Sequence, residues 1–255
     1  MTEHVTIAQD GGVLTLTMNR PDKKNALTNA MYGAMADAIE SAQDDKAVRV
    51  IVIRGAGEMF CAGNDIGDFM VAATKGNVHE ANVFRFIRLL GTGAKPLIAG
   101  VQGRAVGIGT TMLLHCDYVV LADDAKLTAP FATLGLVPEA ASSRLLTALI
   151  GHQRAFAMMA MGDPMSAHEA AAVGLGSEVC QPDELDEAVN AAAKHIAGLP
   201  PGAVQATKAL MRDREMIAAT METEIKVFGE RLQSAEAREA FTAFMEKRAP
   251  DFSQF

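Results

Sequence analysis

Two short loops of small residues carry the groups best suited to chemistry. Glu58-Met59-Phe60-Cys61-Ala62-Gly63-Asn64-Asp65-Ile66 follows an apolar run that ends at Arg54. Gly103-Arg104-Ala105-Val106-Gly107-Ile108-Gly109-Thr110-Thr111 follows a second apolar run, Pro96 to Val101, and opens a helix expected to end near His115. Ala62 and Gly63 would let a ligand come close to the main chain. Two such loops could aim two backbone N–H groups at one oxygen, the minimum for an oxyanion hole. By residue type alone the same loops also read as tight strand-to-helix turns. Glu139 and the lysines at 23 and 24 read, by themselves, as solvated surface charges.

The elements that must hold these loops follow from periodicity. Val48-Arg49-Val50-Ile51-Val52-Ile53-Arg54 is rich in β-branched residues and almost wholly apolar, the pattern of a strand buried on both faces of a parallel-type sheet. Gly55 and Gly57 break it. Upstream, Val5 to Ala8 and Val13 to Met18 flank Asp10-Gly11-Gly12, a hairpin signal, with Leu14, Leu16 and Met18 alternating against threonines. Thr28 is the expected N-cap of a helix carrying Met31, Met35, Ile39 and Ala42 on one face. Val71 to Gly76 reads as irregular, and Val83, Phe84, Ile87 and Leu90 mark another helical face. Tyr118 to Leu121 and Lys126 to Thr128 are strand-like, and the alternation of strands with helices predicts an α/β fold.

Further on, Leu145, Leu146, Leu149 and Ile150 make a helix closed by Gly151. Ser166-Ala167-His168-Glu169 is a capping box, and Pro182 is expected to open a helix bearing Leu185, Val189, Ala192 and Ile196. Leu199-Pro200-Pro201-Gly202 is the best internal boundary. It divides a core over residues 1–198 from a helical region over 199–255. In that region Ile217, Met221, Ile225, Phe228 and Leu232 recur at helical spacing, as do Ala237, Phe241, Phe244 and Met245. So few helices bury little by themselves, so they need the core or another subunit to pack against.

The 255-residue chain is long enough for a substantial core, with 49% hydrophobic and 21% charged residues. A net charge of −8 argues against general nucleic-acid binding. The three cysteines, Cys61, Cys116 and Cys180, are far apart and odd in number, which fits a reducing, cytoplasmic setting rather than a disulfide framework. The histidines show no ligand spacing, so no metal is expected. The N-terminus has no secretory pattern, and no apolar run is long enough to span a membrane.

FCAGNDI (Phe60 to Ile66), GRAVGIG (Gly103 to Gly109) and PFATLGLVPEAASS (Pro130 to Ser143), in that order, resemble the crotonase family, also called the enoyl-CoA hydratase/isomerase family. The resemblance runs from about His4 to Lys247. It implies a crotonase-type fold, a superhelical spiral of repeated ββα turns with C-terminal helices that build a homotrimer or a dimer of trimers. It implies an acyl-CoA thioester as substrate, with coenzyme A as part of that substrate and no metal or redox cofactor. By motif match the oxyanion donors are the backbone N–H groups of Asn64 and Ile108. Ile108 stands where the family usually has glycine, which backbone donation tolerates.

Lys23, Lys24, Asn25 and Ala26 match the family's first CoA-binding segment, and Ala62, Asp65 and Ile66 lie where backbone holds the adenine end. Asp65 is expected to brace its loop through hydrogen bonds. Phe244 and Lys247 match residues that reach CoA, often from a neighbouring subunit. Hydratases of the family use two glutamates, whose places here are taken by Thr111 and Phe131. Glu139 instead falls where Δ3,Δ2-enoyl-CoA isomerases carry their single catalytic glutamate. The expectation is therefore an enoyl-CoA isomerase. The alternatives are an enoyl-CoA hydratase or a non-catalytic acyl-CoA- or RNA-binding member of the family.

Overall fold

The computed structural model describes residues 2–68 and 82–255. The segment Val71 to Gly76 lies outside them. The hairpin forms as its pattern predicts: β1 (Val5–Asp10) and β2 (Val13–Met18) pair antiparallel with Asp10 opposite Val13. Leu14, Leu16 and Met18 are buried while the residues between them are half-buried. From β2 the sheet continues in parallel through β3 (Val50–Gly55), β4 (Leu97–Val101), β6 (Tyr118–Ala122) and β9 (Glu178–Cys180). The two-sided burial expected of the β3 run is present. Ile51 and Ile53 enter the main apolar core, whereas Val50 and Val52 pack on the opposite face with Ile98, Val120 and Val189.

A second, smaller sheet is made of β5 (Arg104–Val106), β7 (Lys126–Thr128) and β8 (Met165–Ser166), in the order β5-β7-β8. The chain visits the large sheet and then the small one, β4 before β5 and β6 before β7, and returns through helices. Cys61, beyond β3, makes a parallel bridge with Ala105 of β5, so the passage through β3 follows the same rule. This is the repeated ββα spiral, and it stacks successive strand ends, with the loops that leave them, at one side of the molecule.

Helix boundaries follow their caps. The Thr28 side chain accepts a 3.3 Å hydrogen bond from the Met31 N–H at the start of the Asn29–Asp44 helix. The capping box at Ser166 and Glu169 is complete in both directions. One boundary differs: Pro182 lies in a turn, and the helix begins at Leu185. The reason is the Glu184 side chain, which accepts from the Gln181 N–H at 3.1 Å and closes that turn before the helix starts. Among the described residues no helix is long and apolar enough to cross a membrane.

The C-terminal helices, Pro201–Met211, Arg214–Leu232 and Ala235–Glu246, split their apolar residues between two fates. Ile217, Met221, Ile225, Phe228 and Leu232 are all buried within this one chain. They lie against the Asn82–Thr92 helix, where Phe84 and Phe228 meet edge-on with centroids 6.4 Å apart. That face therefore needs no second subunit. On the last helix Ala237 and Phe241 are buried against the core, whereas Phe244 and Met245 are exposed by 57% and 63%. The grouping of those four residues on one buried face does not hold within the chain: Ala237, Ala240, Phe241 and Ala243 face the core, and Phe244 and Met245 are left uncovered.

Candidate active site

The two small-residue loops lie against each other because β5 pairs beyond its own sheet. The Cys61 N–H donates to Arg104 O at 3.1 Å, and the Val106 N–H donates to Cys61 O at 2.9 Å. Gly63 is held at φ +92°, and a Cβ there would stand 3.1 Å from Val106 O. Gly107 has φ +56° and ψ −118°, outside the regions open to side-chain-bearing residues. Both glycines are thus required by the backbone path that brings the loops together.

That path leaves particular N–H groups unspent. On the first loop Ala62 donates to Lys24 O, Gly63 to Cys61 Sγ and Asp65 to Leu27 O. On the second, Val106 and Gly107 donate to Cys61 O and Thr128 O. Among the described residues, the N–H groups of Asn64 and of Ile108 take no such partner. Ile108 is the first residue of the Ile108–Thr111 helix, where N–H groups have no intrahelical acceptor. Two adjacent loops, each offering an unspent donor, are an arrangement able to hold an anionic oxygen.

Glu139 is only 4% exposed, far from the solvated surface charge that its residue type suggests. Its Oε1 accepts a 2.5 Å hydrogen bond from the Thr111 hydroxyl, one helical turn beyond Ile108. Its Oε2 is buried with no partner. Burial pushes its carboxyl up to about 8, opposed by the Thr111 hydroxyl and reinforced by the charge of Glu224. A carboxyl with one tethered and one unpartnered oxygen can accept a proton at the free oxygen. Thr111 and Phe131, which the resemblance sets at the positions of the hydratase glutamates, are both buried. The first is a hydroxyl that steadies Glu139.

The Asn64 side chain is also fixed. The Tyr32 hydroxyl donates to Asn64 Oδ1 at 2.6 Å, and burial, aided by Cys61 and Glu139, holds that phenol protonated well above its ordinary range. Asp65 braces the loop, as its type suggests. It accepts from Arg20 Nη1 at 2.7 Å and from the Asp68 N–H at 3.1 Å. Burial disfavours its charge, but these partners more than offset that and hold its carboxyl below the usual range.

The other sequence-marked residues divide into two groups. Lys23 and Lys24 are exposed, and Lys24 lines an open cleft of about 960 Å³ with Met59, Arg104 and Val106. Ala26 O accepts from Arg20 Nη1 at 3.1 Å, which ties this segment to Asp65. The Asn25 side chain is wholly buried and occupied, donating to Ala56 O and Met59 O and accepting from the Arg20 N–H. Ala62 and Ile66 are half-buried beside the first loop. Phe244 and Lys247 stand apart at the end of the last helix. Among the described residues no hydrogen bond or ion pair joins either to these loops.

The sequence model of the enoyl-CoA hydratase/isomerase family matches residues 8–255. The chain belongs to that family. Within it, enoyl-CoA delta isomerase 2 of Rattus norvegicus is 35% identical over 251 residues, which span 96% of this chain and 64% of that protein. The 2,3-dehydroadipyl-CoA hydratase of Escherichia coli K12 is 33% identical over 249 residues, spanning 96% and 97% of the two chains. The crystal structure of an enoyl-CoA hydratase/isomerase from Pseudoalteromonas atlantica T6c superposes with a TM-score of 0.92 at 38% identity, covering 98% of this chain and 100% of that one. The crotonase fold expected from the loop motifs is therefore established.

Several residues of this enoyl-CoA hydratase/isomerase family site escaped the motif reading: Arg20, Tyr32, His115 and Glu224. One of them had a visible signal. Glu224 lies between Met221, Ile225 and Phe228 on an apolar helical face, and a charge inside such a stripe breaks the binary pattern. Tyr32 carried only a phenol within another apolar face. Arg20 and His115 carried none: the partners that draw them to the site, Asp65 for Arg20 and Ala140 and Arg212 for His115, are distant in sequence.

Proposed function

We propose that the protein is an enoyl-CoA isomerase that moves a double bond from Δ3 to Δ2. Glu139 takes a proton from C2 of the thioester, the electrons pass into an enolate, and the same carboxyl returns the proton at C4. The Asn64 and Ile108 N–H groups hold the enolate oxygen without reorganising as charge develops. The observation that carries this reading is the Glu139 carboxyl, buried, tethered to Thr111 one turn beyond Ile108, and with Oε2 unpartnered. Lys23, Lys24 and the backbone at Asn25, Ala26, Ala62, Asp65 and Ile66 would hold CoA.

Hydration is the competing reading, favoured by the 2,3-dehydroadipyl-CoA hydratase among the relatives. It needs a second group to position and activate water, and neither Thr111 nor Phe131 deprotonates water near neutral pH. Purified protein assayed on 3-enoyl-CoA and on crotonyl-CoA separates the two. Isomerisation should dominate, and faster hydration of crotonyl-CoA would replace the proposal.

The raised carboxyl also predicts a pH profile. The base must be ionised, so kcat/KM for isomerisation should climb through about pH 8, the value toward which burial pushes Glu139. A profile already flat from pH 5 upward would exclude Glu139 in this environment as the base.

The assembly proposed is a trimer or a dimer of trimers, with Phe244 and Lys247 reaching CoA on a neighbouring subunit. Its support is now the exposed Phe244, Met245, Phe252 and Phe255, not the Ile217 to Leu232 face. Light scattering at micromolar concentration should give a multiple of three chains, and a monomer mass would remove this part of the proposal.

A further inference from the structure

Ala140 and Ala141, the two residues after Glu139, both have left-handed backbone, with φ +59° and +56°. Side-chain-bearing residues rarely adopt that conformation, and two in succession persist only when their surroundings hold them. Ala141 is also the N-cap of the Ser142–Ile150 helix, and it has no side chain able to cap.

The cap is supplied from far away. Glu224, 7% exposed on the Arg214–Leu232 helix, accepts from the Ala141 N–H at 2.6 Å through Oε2. Its Oε1 accepts from the Ser143 N–H at 3.0 Å and from the Ser143 hydroxyl at 2.5 Å. On the preceding residue, the His115 Nε2–H donates to Ala140 O at 2.8 Å, while Arg212 donates to His115 Nδ1 at 3.0 Å. Burial first, and then Arg212, lowers the imidazole to about 3, so it stays neutral in that tautomer. Ser142 closes the turn from inside, its N–H and hydroxyl both donating to Glu139 O.

We infer that Glu224 is a positioning residue for proton transfer: it clamps the Ala140-Ala141 turn and so sets where the Glu139 carboxyl stands. This rests on the reading of Glu139 as the base. The helix that carries Glu224 lies more than eighty residues downstream, in the region that the family resemblance assigns to oligomerisation. Part of the catalytic geometry is therefore held by that segment within the same chain. The titratable and charged groups around the turn and the Glu139 carboxyl are Tyr32, His115 with Arg212 behind it, and Glu224. Of these, Glu224 alone both holds the turn by its carboxylate and opposes ionisation of Glu139 by its charge.

The test uses Glu224→Gln and Glu224→Asp in the full-length protein. In Glu224→Gln the amide nitrogen cannot accept from the Ala141 N–H, so one side of the clamp opens and the charge is gone. Its kcat should fall by about 10- to 10²-fold with KM nearly unchanged, and the rise of kcat/KM should move to lower pH. Glu224→Asp keeps the charge but draws the oxygens back. Its kcat should fall while the pH profile stays in place. A role in stability alone would scale the rate with the folded fraction and leave the profile unmoved in both variants; that result, or a wild-type kcat in either folded variant, overturns the inference.

If neither variant folds, amide exchange of the wild type decides. Ala141 and Ser143 should exchange as slowly as the core strands, and rapid exchange there overturns the clamp. Glu139→Gln assayed alongside separates the two ideas. Loss of rate in Glu139→Gln with normal Glu224 variants sinks the clamp alone, whereas a normal rate in Glu139→Gln sinks the base assignment.

Discussion

Glu139→Gln should lower isomerisation of 3-enoyl-CoA by about 10²-fold or more while CoA-ester affinity changes little. Glutamine keeps the size of the side chain, and its carbonyl can still accept from the Thr111 hydroxyl that now holds Oε1. What it cannot do is take a proton at the position of Oε2, which is buried without a partner. Any isomerase rate near that of the wild type in a folded Glu139→Gln variant would overturn the assignment.

The same substitution has a stability consequence with a definite sign. Folding raises the Glu139 carboxyl from its ordinary 4.5 to about 8, so the folded state favours the protonated form. The wild type therefore loses stability as pH rises from about 4.5 through about 8, because ionisation is easier in the unfolded chain. Glutamine does not ionise. Glu139→Gln should gain stability relative to the wild type across that window, with the gap levelling off above it. Denaturant melts at pH 5, 7 and 9 would check this, and a constant gap would contradict it.

Gly63→Val should reduce turnover by about two to three orders of magnitude, the loss expected when one oxyanion donor is displaced. The backbone at Gly63 has φ +92°, which a β-branched residue does not adopt without strain, and its Cβ would lie 3.1 Å from Val106 O. Relief requires the first loop to move away from the second, carrying the Asn64 N–H with it. The Gly63 carbonyl, which accepts from the Leu27 N–H at 2.8 Å, would be pulled as well. Thermal melting distinguishes a shifted loop from a failed fold. A well-folded Gly63→Val enzyme with unchanged turnover would show that charge does not develop at this loop.

Much of the framework follows from local sequence. Strand β3 is legible because a short β-branched run has no polar face to give to solvent, so it must be covered on both sides. The β1–β2 hairpin is legible in its glycine turn and in the alternation of Leu14, Leu16 and Met18. Both small-residue loops are legible because a backbone path without room for Cβ admits only glycine, and the ordered motifs around them name the family. Each of these rests on residues within a few positions of one another.

The state of Glu139 was not legible in that way, because burial belongs to the assembled molecule. Thr111, Tyr32 and Glu224 come to it from three separate helices; burial in that packing and the charge of Glu224 turn an ordinary loop carboxyl into one that resists ionisation, with the Thr111 hydroxyl acting in the opposite sense. Tertiary structure likewise decided the fate of the C-terminal apolar stripes. Helical spacing identified both faces, but spacing does not say what covers a face. The Asn82–Thr92 helix covers Ile217 to Leu232, while Phe244 and Met245 remain open. Local sequence determined which backbone segments form and where they turn. The long-range packing of those segments determined which carboxyl loses its water and which residues hold it in place.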